Sequence, residues 1–177
     1  PSEITPLTAL ACQKIFDAAC AKFGDDAPAG LSQVIVGGPE TGEAMTTSKD
    51  VAIVSATGST TMGRKVGVKL AERFGRTILE LGGNNAMIVA PSADMEMAVR
   101  AVVFSAVGTC GQRCTTLRRV IAHESIYDEL VAKLKPAYSN IPIGSPLDEC
   151  ALVGPLINKR AFDSKQAAII AVTKDGD

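Results

Sequence analysis

The sequence has a single histidine, His123, no surplus of charge of either sign, and no apolar run of membrane-spanning length. Each shortage excludes a class of function. A zinc site wants about four convergent ligands. Here Cys110 and Cys114 sit at a loose spacing, no second pair exists, and one imidazole is available, so no metal is expected. His123 is also the one imidazole open to a Cys–His pair, and its place before Glu124-Ser125 reads as a solvated surface residue. Any general base is then a carboxylate. Eighteen Lys and Arg against 19 Asp and Glu leave a net charge of −1. That balance gives no footprint for nucleic acid or an anionic membrane. The longest apolar stretch, residues 98–108, is broken by Arg100 and too short to span a bilayer. Pro1-Ser2-Glu3 lacks the basic start and apolar run of a signal peptide. Five cysteines, Cys12, Cys20, Cys110, Cys114 and Cys150, form no disulfide framework by number or spacing. A reducing, cytoplasmic setting is expected.

What is present is the balance of a globular protein: 46% hydrophobic and 21% charged residues. A length of 177 residues suffices for one domain or for parts of two. The absence of an initial Met and the charged end, Lys174-Asp175-Gly176-Asp177, lead us to expect a piece of a longer chain.

Thr5-Pro6 reads as a helix start, with a capping hydroxyl and a proline at the first helical position. Leu7, Leu10, Ala11, Ile15, Ala18 and Ala19 form its stripe, and Gly24 its stop. A buried strand is expected over residues 31–36 and a helix over 41–48. A second buried strand follows at 51–57, then a helix from Gly58-Ser59-Thr60 to Phe74, stopped by Gly75, then a strand at 77–81. After Gly82-Gly83 the rhythm restarts: strand 86–90, a largely buried helix 93–107, a loop 108–114, strand 118–122. Ser125 is expected to cap a last amphipathic helix with Ile126, Leu130, Val131 and Leu134 inward. Strands alternating with helices across short Gly-containing turns predict an α/β fold with a Rossmann-like parallel sheet. The Gly82-Gly83 pair is the candidate boundary, giving domains over 1–82 and 83–177, both incomplete.

Three segments carry candidate chemistry. Gly58 to Gly63 lies between a strand and a helix, where unpaired N–H groups suit a phosphate. Arg64 and Lys65 follow instead of the Lys-Ser/Thr of a nucleoside-triphosphate loop, and the G-x-G-x-x-G fingerprint is absent. An ordinary strand-to-helix turn fits as well. Cys114, in Gly111-Gln112-Arg113-Cys114-Thr115-Thr116, has a loop N–H supply and a neighbouring Arg to stabilise a thiolate. A free cysteine is more commonly an inert small hydrophobe. Glu80, flanked by apolar residues at a strand end, suits a partly desolvated general base. A glutamate facing solvent at an edge has the same pattern.

Taken together these segments resemble the aldehyde dehydrogenase superfamily over nearly the whole chain and in the expected order. Glu80-Leu81-Gly82-Gly83 looks like its glutamate motif, and Gly111-Gln112-Arg113-Cys114 like its cysteine motif. Ser55-Ala56-Thr57-Gly58-Ser59-Thr60 is similar to the S-F-T-G-S-T cofactor segment, and Pro1-Ser2-Glu3 to the remainder of K-P-S-E. Gly144-Ser145-Pro146 and Val153-Gly154-Pro155 match later landmarks. The resemblance implies the NAD-binding domain followed by part of the catalytic domain. It implies Cys114 as the nucleophile that forms a thiohemiacetal with an aldehyde, passes hydride to the nicotinamide, and leaves a thioester. Glu80 activates the hydrolytic water, and the N–H of Cys114 helps hold the oxyanion. Glu3 meets the adenosine ribose, Ser59 the pyrophosphate, and Gly58, Gly63 and Leu81 complete the cofactor positions. A carboxylate at the ribose favours NAD over NADP. The partners implied are a small-molecule aldehyde and further copies of the parent subunit.

Leu81-Gly82-Gly83-Asn84-Asn85, residues 107–116 and residues 123–128 most resemble the antiquitin group, the α-aminoadipate semialdehyde dehydrogenases of lysine catabolism. Ala56 departs from the usual Phe, which implies looser packing beneath the cofactor turn. The oxyanion-hole Asn, the nicotinamide-ribose Glu and the oligomerisation strand have no counterpart here, so these residues alone are expected to be inactive. A coenzyme-A-acylating semialdehyde dehydrogenase is the alternative enzyme, although Glu80 argues against it. A non-catalytic nucleotide-binding or structural piece is the alternative outside enzymes.

Overall fold

Pro6 opens helix α1 (Pro6–Phe23), and the computed structural model describes residues 1–175. Capping needs extended backbone at the cap residue. Thr5 stands at ψ 43°, so its hydroxyl makes no cap bond, contrary to expectation. Gly24, at φ 56°, ends the helix. The strand expected over 31–36 does not form. Among the described residues no segment pairs with it, and Leu31, Ile35 and Val36 stand about half exposed or more. A strand exists only through its ladder. Helix α2 (Pro39–Thr47) starts earlier than expected because Pro39 occupies the first helical position behind Gly38.

Strand β1 (Ile53–Gly58), helix α3 (Thr60–Glu72) and strand β2 (Arg76–Leu81) make a parallel βαβ unit, with Ile53 opposite Arg76 through to Gly58 opposite Leu81. Leu79 and Leu81 face α3, since a Cβ at Gly67 would lie 3.6 Å from Leu79 and one at Gly63 2.6 Å from Leu81. The opposite face carries Ile53 and Ile78, both about half exposed. The buried strand expected at 51–57 is thus covered on one face only. Leu70 of α3 is fully buried.

Helix α3 stops at Glu72 rather than at Phe74. Phe74 turns left-handed at φ 56°, its N–H donating to Ala71 O at 3.1 Å while Gly75 N reaches back to Leu70 O at 2.8 Å. That pair of bonds is a Schellman ending, with a phenylalanine where glycine is usual. The adjacent Arg73 donates to Thr46 O at 2.9 Å and Val51 O at 2.7 Å, tying α3 to the end of α2 and the approach to β1.

Strand β3 (Asn85–Val89), helix α4 (Met95–Val107) and strand β4 (Leu117–Ala122) repeat the parallel βαβ arrangement. Asp94 caps α4 through Met97 N at 3.0 Å. The helix expected to be largely buried has one fully buried residue, Val102, and Phe104 is 72% exposed. Helix α5 (Glu124–Ser139) is capped not by Ser125 but by His123, whose ring Nδ1 accepts from Ser125 N at 3.2 Å. Leu130 is buried, with Ile126, Val131 and Leu134 half-buried beside it, as the stripe predicts. Helix α6 (Lys159–Asp175) takes in the first half of the charged end; Gly176 and Asp177 lie outside the described residues. The chain divides into two compact units, Pro1–Leu81 and Gly82–Asp177. Among the described residues no helix is long and apolar enough to cross a membrane.

Candidate active site

In the first unit the turn from β1 into α3 presents Gly58, Ser59, Thr60 and Thr61 to solvent. Ser59 caps the helix, its hydroxyl oxygen accepting from Met62 N at 3.1 Å. A hydroxyl that accepts one bond retains its own O–H donor. The opening N–H groups of a helix have no helical acceptor, so donors and the positive end of the helix converge there. At Gly58 a Cβ would lie 2.6 Å from Met62 Cε, the movable end of a flexible side chain, so glycine leaves that methyl its present place. Gly63 is buried against Leu81. That contact explains a glycine at 63 by helix–strand packing alone. Glu3 is exposed, one residue past Ser2, whose carbonyl accepts from Thr5 N at 3.1 Å.

Glu80 lies on β2 with its neighbours Leu79 and Leu81 turned toward α3. Side chains alternate along a strand, so its carboxylate projects from the uncovered face, where it is exposed. The partial desolvation expected of it is not found, because nothing in its own unit covers that face.

In the second unit the chain leaves α4 through a tight turn in which Thr109, Cys110 and Gly111 are all left-handed, at φ 51°, 56° and 70°. Two of these are not glycine, a costly arrangement that surrounding structure must hold. The chain then enters the segment of Cys114, whose residue is exposed. Gln112 spans outward, its Oε1 accepting from Ile157 N at 2.9 Å. Arg113 N donates to Thr116 Oγ1 and Thr116 N to Arg113 O, each at 3.1 Å. The neighbouring Arg expected to serve the thiol is otherwise engaged: its guanidinium lies 5.8 Å from the Phe104 ring centroid and against Gly108. Gly108 has no Cβ in its way.

Sequence reasoning assigned no role to Asn85. Its side-chain Nδ2 donates to Cys114 O at 2.7 Å and to Thr116 O at 2.9 Å. Thr116 itself is 2% exposed. The available signal was an amide residue directly after Gly82-Gly83-Asn84, at the start of a strand. Among the described residues no cluster of three or more His, Cys, Asp or Glu side chains is arranged to hold a metal.

The sequence matches the aldehyde dehydrogenase family over residues 1–177, and the chain belongs to that family. Among its relatives is the α-aminoadipic semialdehyde dehydrogenase of Bos taurus, 44% identical over 174 residues, covering 97% of this chain and 32% of that protein. The likeness to that group read from the motifs is therefore found in whole-segment comparison. The chain spans about a third of the length of the curated relatives it matches. Among solved structures, HpcC from Thermus thermophilus superposes with a TM-score of 0.91 at 32% identity, over 99% of this chain and 33% of that one. An aldehyde dehydrogenase of Mycobacterium tuberculosis, solved with NAD+, gives 0.88 at 37% identity, over 97% of this chain and 34% of that one. The α/β, Rossmann-like class expected from the strand–helix alternation is the class of these enzymes.

Proposed function

We propose that the protein containing this chain oxidises an aldehyde to a carboxylate with NAD, using Cys114 as nucleophile and Glu80 as base. On this reading Pro1–Leu81 belongs to the NAD-binding domain and Gly82–Asp177 to the catalytic domain. The observation that carries it is the exposed Cys114 thiol on a segment whose main chain is pinned at 114 and 116, in a chain of this family.

The cofactor turn fits a dinucleotide. Ser59 and the first N–H groups of α3 suit the pyrophosphate, Gly58 gives the turn its room, and Gly63 seats the helix on Leu81. Glu3, exposed, suits ribose hydroxyls, and a carboxylate at that place disfavours a 2′-phosphate. NAD, when bound, supplies the acceptor for the hydride that leaves the substrate carbon.

The chain's own residues do the rest. The Cys114 thiolate adds to the carbonyl carbon, and the resulting oxyanion is held by the Cys114 N–H. That N–H donates to no protein acceptor among the described residues. Each such donor contributes about 3 kcal/mol in comparable sites. Loss of hydride leaves a thioester on Sγ. Glu80 takes a proton from water, the hydroxide attacks the thioester carbon, and the Cys114 thiolate departs.

The substrate class favoured by the relatives is a semialdehyde such as α-aminoadipate semialdehyde. A homo-oligomer in a reducing, cytoplasmic setting is part of the same proposal, the five free cysteines favouring the reducing setting. The test is NADH formation by the full-length protein with α-aminoadipate semialdehyde. Cys114→Ser is expected to abolish it, and Glu80→Gln to leave a single burst of NADH per site with a trapped thioester. Acyl-CoA as the product on adding coenzyme A would overturn the hydrolytic reading.

A further inference from the structure

Strands β3 and β4 pair in parallel from Asn85 opposite Leu117, with an irregular register between Asn85 and Ala86. Below that pair the ladder ends. Residues 82–84 have left the sheet, so no main-chain N–H of β3 reaches the carbonyls that precede Leu117. Two of those carbonyls, at Cys114 and Thr116, nevertheless have a donor, and both bonds come from one group, Asn85 Nδ2. A carboxamide has two N–H donors in one plane, so a single side chain stands in for the missing stretch of strand.

The orientation is fixed by its partners, because two carbonyl oxygens demand the NH2 end. Behind it, a Cβ added at Gly83 would lie 3.0 Å from Asn85 Oδ1, so Gly83 leaves the amide the room to turn this way. We propose that Asn85 is a positioning residue for Cys114. By holding the carbonyls at 114 and 116, it fixes the peptide planes that follow Cys114 and Thr116 and so helps set where Sγ points. The plane before Cys114, which carries its N–H, is held at Arg113 O by Thr116 N. The function of that placement rests on the nucleophile reading above; the clamp itself does not.

Asn85→Asp keeps shape and volume but replaces the NH2 by an oxygen facing two carbonyl oxygens. Asn85→Gln keeps both donors on a longer arm. Asn84→Asp makes the same change of charge on the adjacent, exposed residue. In the full-length protein we would measure two things: alkylation of each cysteine by iodoacetamide, resolved by peptide mass mapping, and amide hydrogen exchange over residues 113–117.

Asn85→Asp is expected to slow alkylation of Cys114 by about tenfold and to speed exchange at 113–117. Cys12, Cys20 and Cys150 keep their rates, Asn85→Gln recovers part of the loss, and Asn84→Asp behaves as the parent. Unchanged exchange in Asn85→Asp overturns the proposal, and so does faster exchange with an unchanged Cys114 rate. If Cys114 of the unsubstituted protein reacts no faster than the other cysteines, the nucleophile reading falls. The clamp then stands or falls on exchange alone. Should Asn85→Asp fail to fold, Gly83→Ala, which presses on the amide from behind, is read in the same way.

Discussion

Asn85 and Phe74 show how much a single side chain decides here. Removing both donors of Asn85 leaves the carbonyl of a 2% exposed residue, Thr116, without a partner. Such a loss costs about 1–3 kcal/mol, so Asn85→Ala is expected to lower the unfolding midpoint in urea accordingly. Phe74 has the opposite balance. It adopts a left-handed conformation that costs a residue with a Cβ roughly 1–2 kcal/mol, and at 98% exposure it gains almost nothing from packing in its own unit. Phe74→Gly relieves that strain but gives the unfolded chain more freedom. A net gain of about 0.5 kcal/mol in chemical denaturation is expected.

Helix α3 packs on both strands of its βαβ unit, and α5 packs on α4 and β4 of the second. Leu70 is the anchor of α3 on the β1–β2 pair, and it is fully buried. Leu70→Ala is expected to cost about 2–5 kcal/mol by calorimetry or denaturant titration. By comparison the ion pairs on these helices, such as Lys69–Glu72 and Lys133–Glu129, are exposed and contribute little. Helix α5 adds a pH dependence through Tyr138, whose pKa is raised by burial. The neutral phenol is favoured in the folded state. Its contribution is complete below the ordinary value of about 10 and is lost as the pH climbs through the raised value. Thermal melts on the alkaline side are therefore expected to show a fall in stability that Tyr138→Phe reduces.

Taken whole, the chain exposes far more surface than its mass warrants. Its accessible area is 13262 Å² for 18.4 kDa. A compact protein of that mass exposes about 8000 Å², and even two separate compact halves about 10000 Å². Ile53 and Ile78 on the bare face of β1 and β2, and Leu7 and Ile15 on α1, contribute to the excess. The chain spans about a third of the length of its curated relatives. Expressed alone, residues 1–177 are expected to bind an apolar dye strongly, to associate above micromolar concentration, and to show no aldehyde-dependent NADH formation. Dye fluorescence, light scattering and a turnover assay check the three. A monodisperse, dye-silent sample would overturn the account of the exposed faces.

The two βαβ units were legible element by element, with ends shifted by one or two residues, because short apolar runs, glycine turns and amphipathic stripes are local signals. So was the family, because the segments that carry the resemblance are short and contiguous. What depended on distant pairing was not legible. Residues 31–36 have the composition of a strand but no neighbour to make them one, and α4 has the apolarity of a buried helix without the cover. The same apolar run at 51–57 could not reveal that one face would be bare and that Glu80 would stand on it. The N–H of Ser125 and the ring of His123 changed the expected cap, since capping depends on backbone angles that residue type does not set. The clamp on Cys114 joins Asn85 to a segment 29 positions away. Hydrogen bonds of that separation are decided where the chain folds back on itself: the local sequence supplies the donor, and the ladder's end supplies the acceptors that lack one.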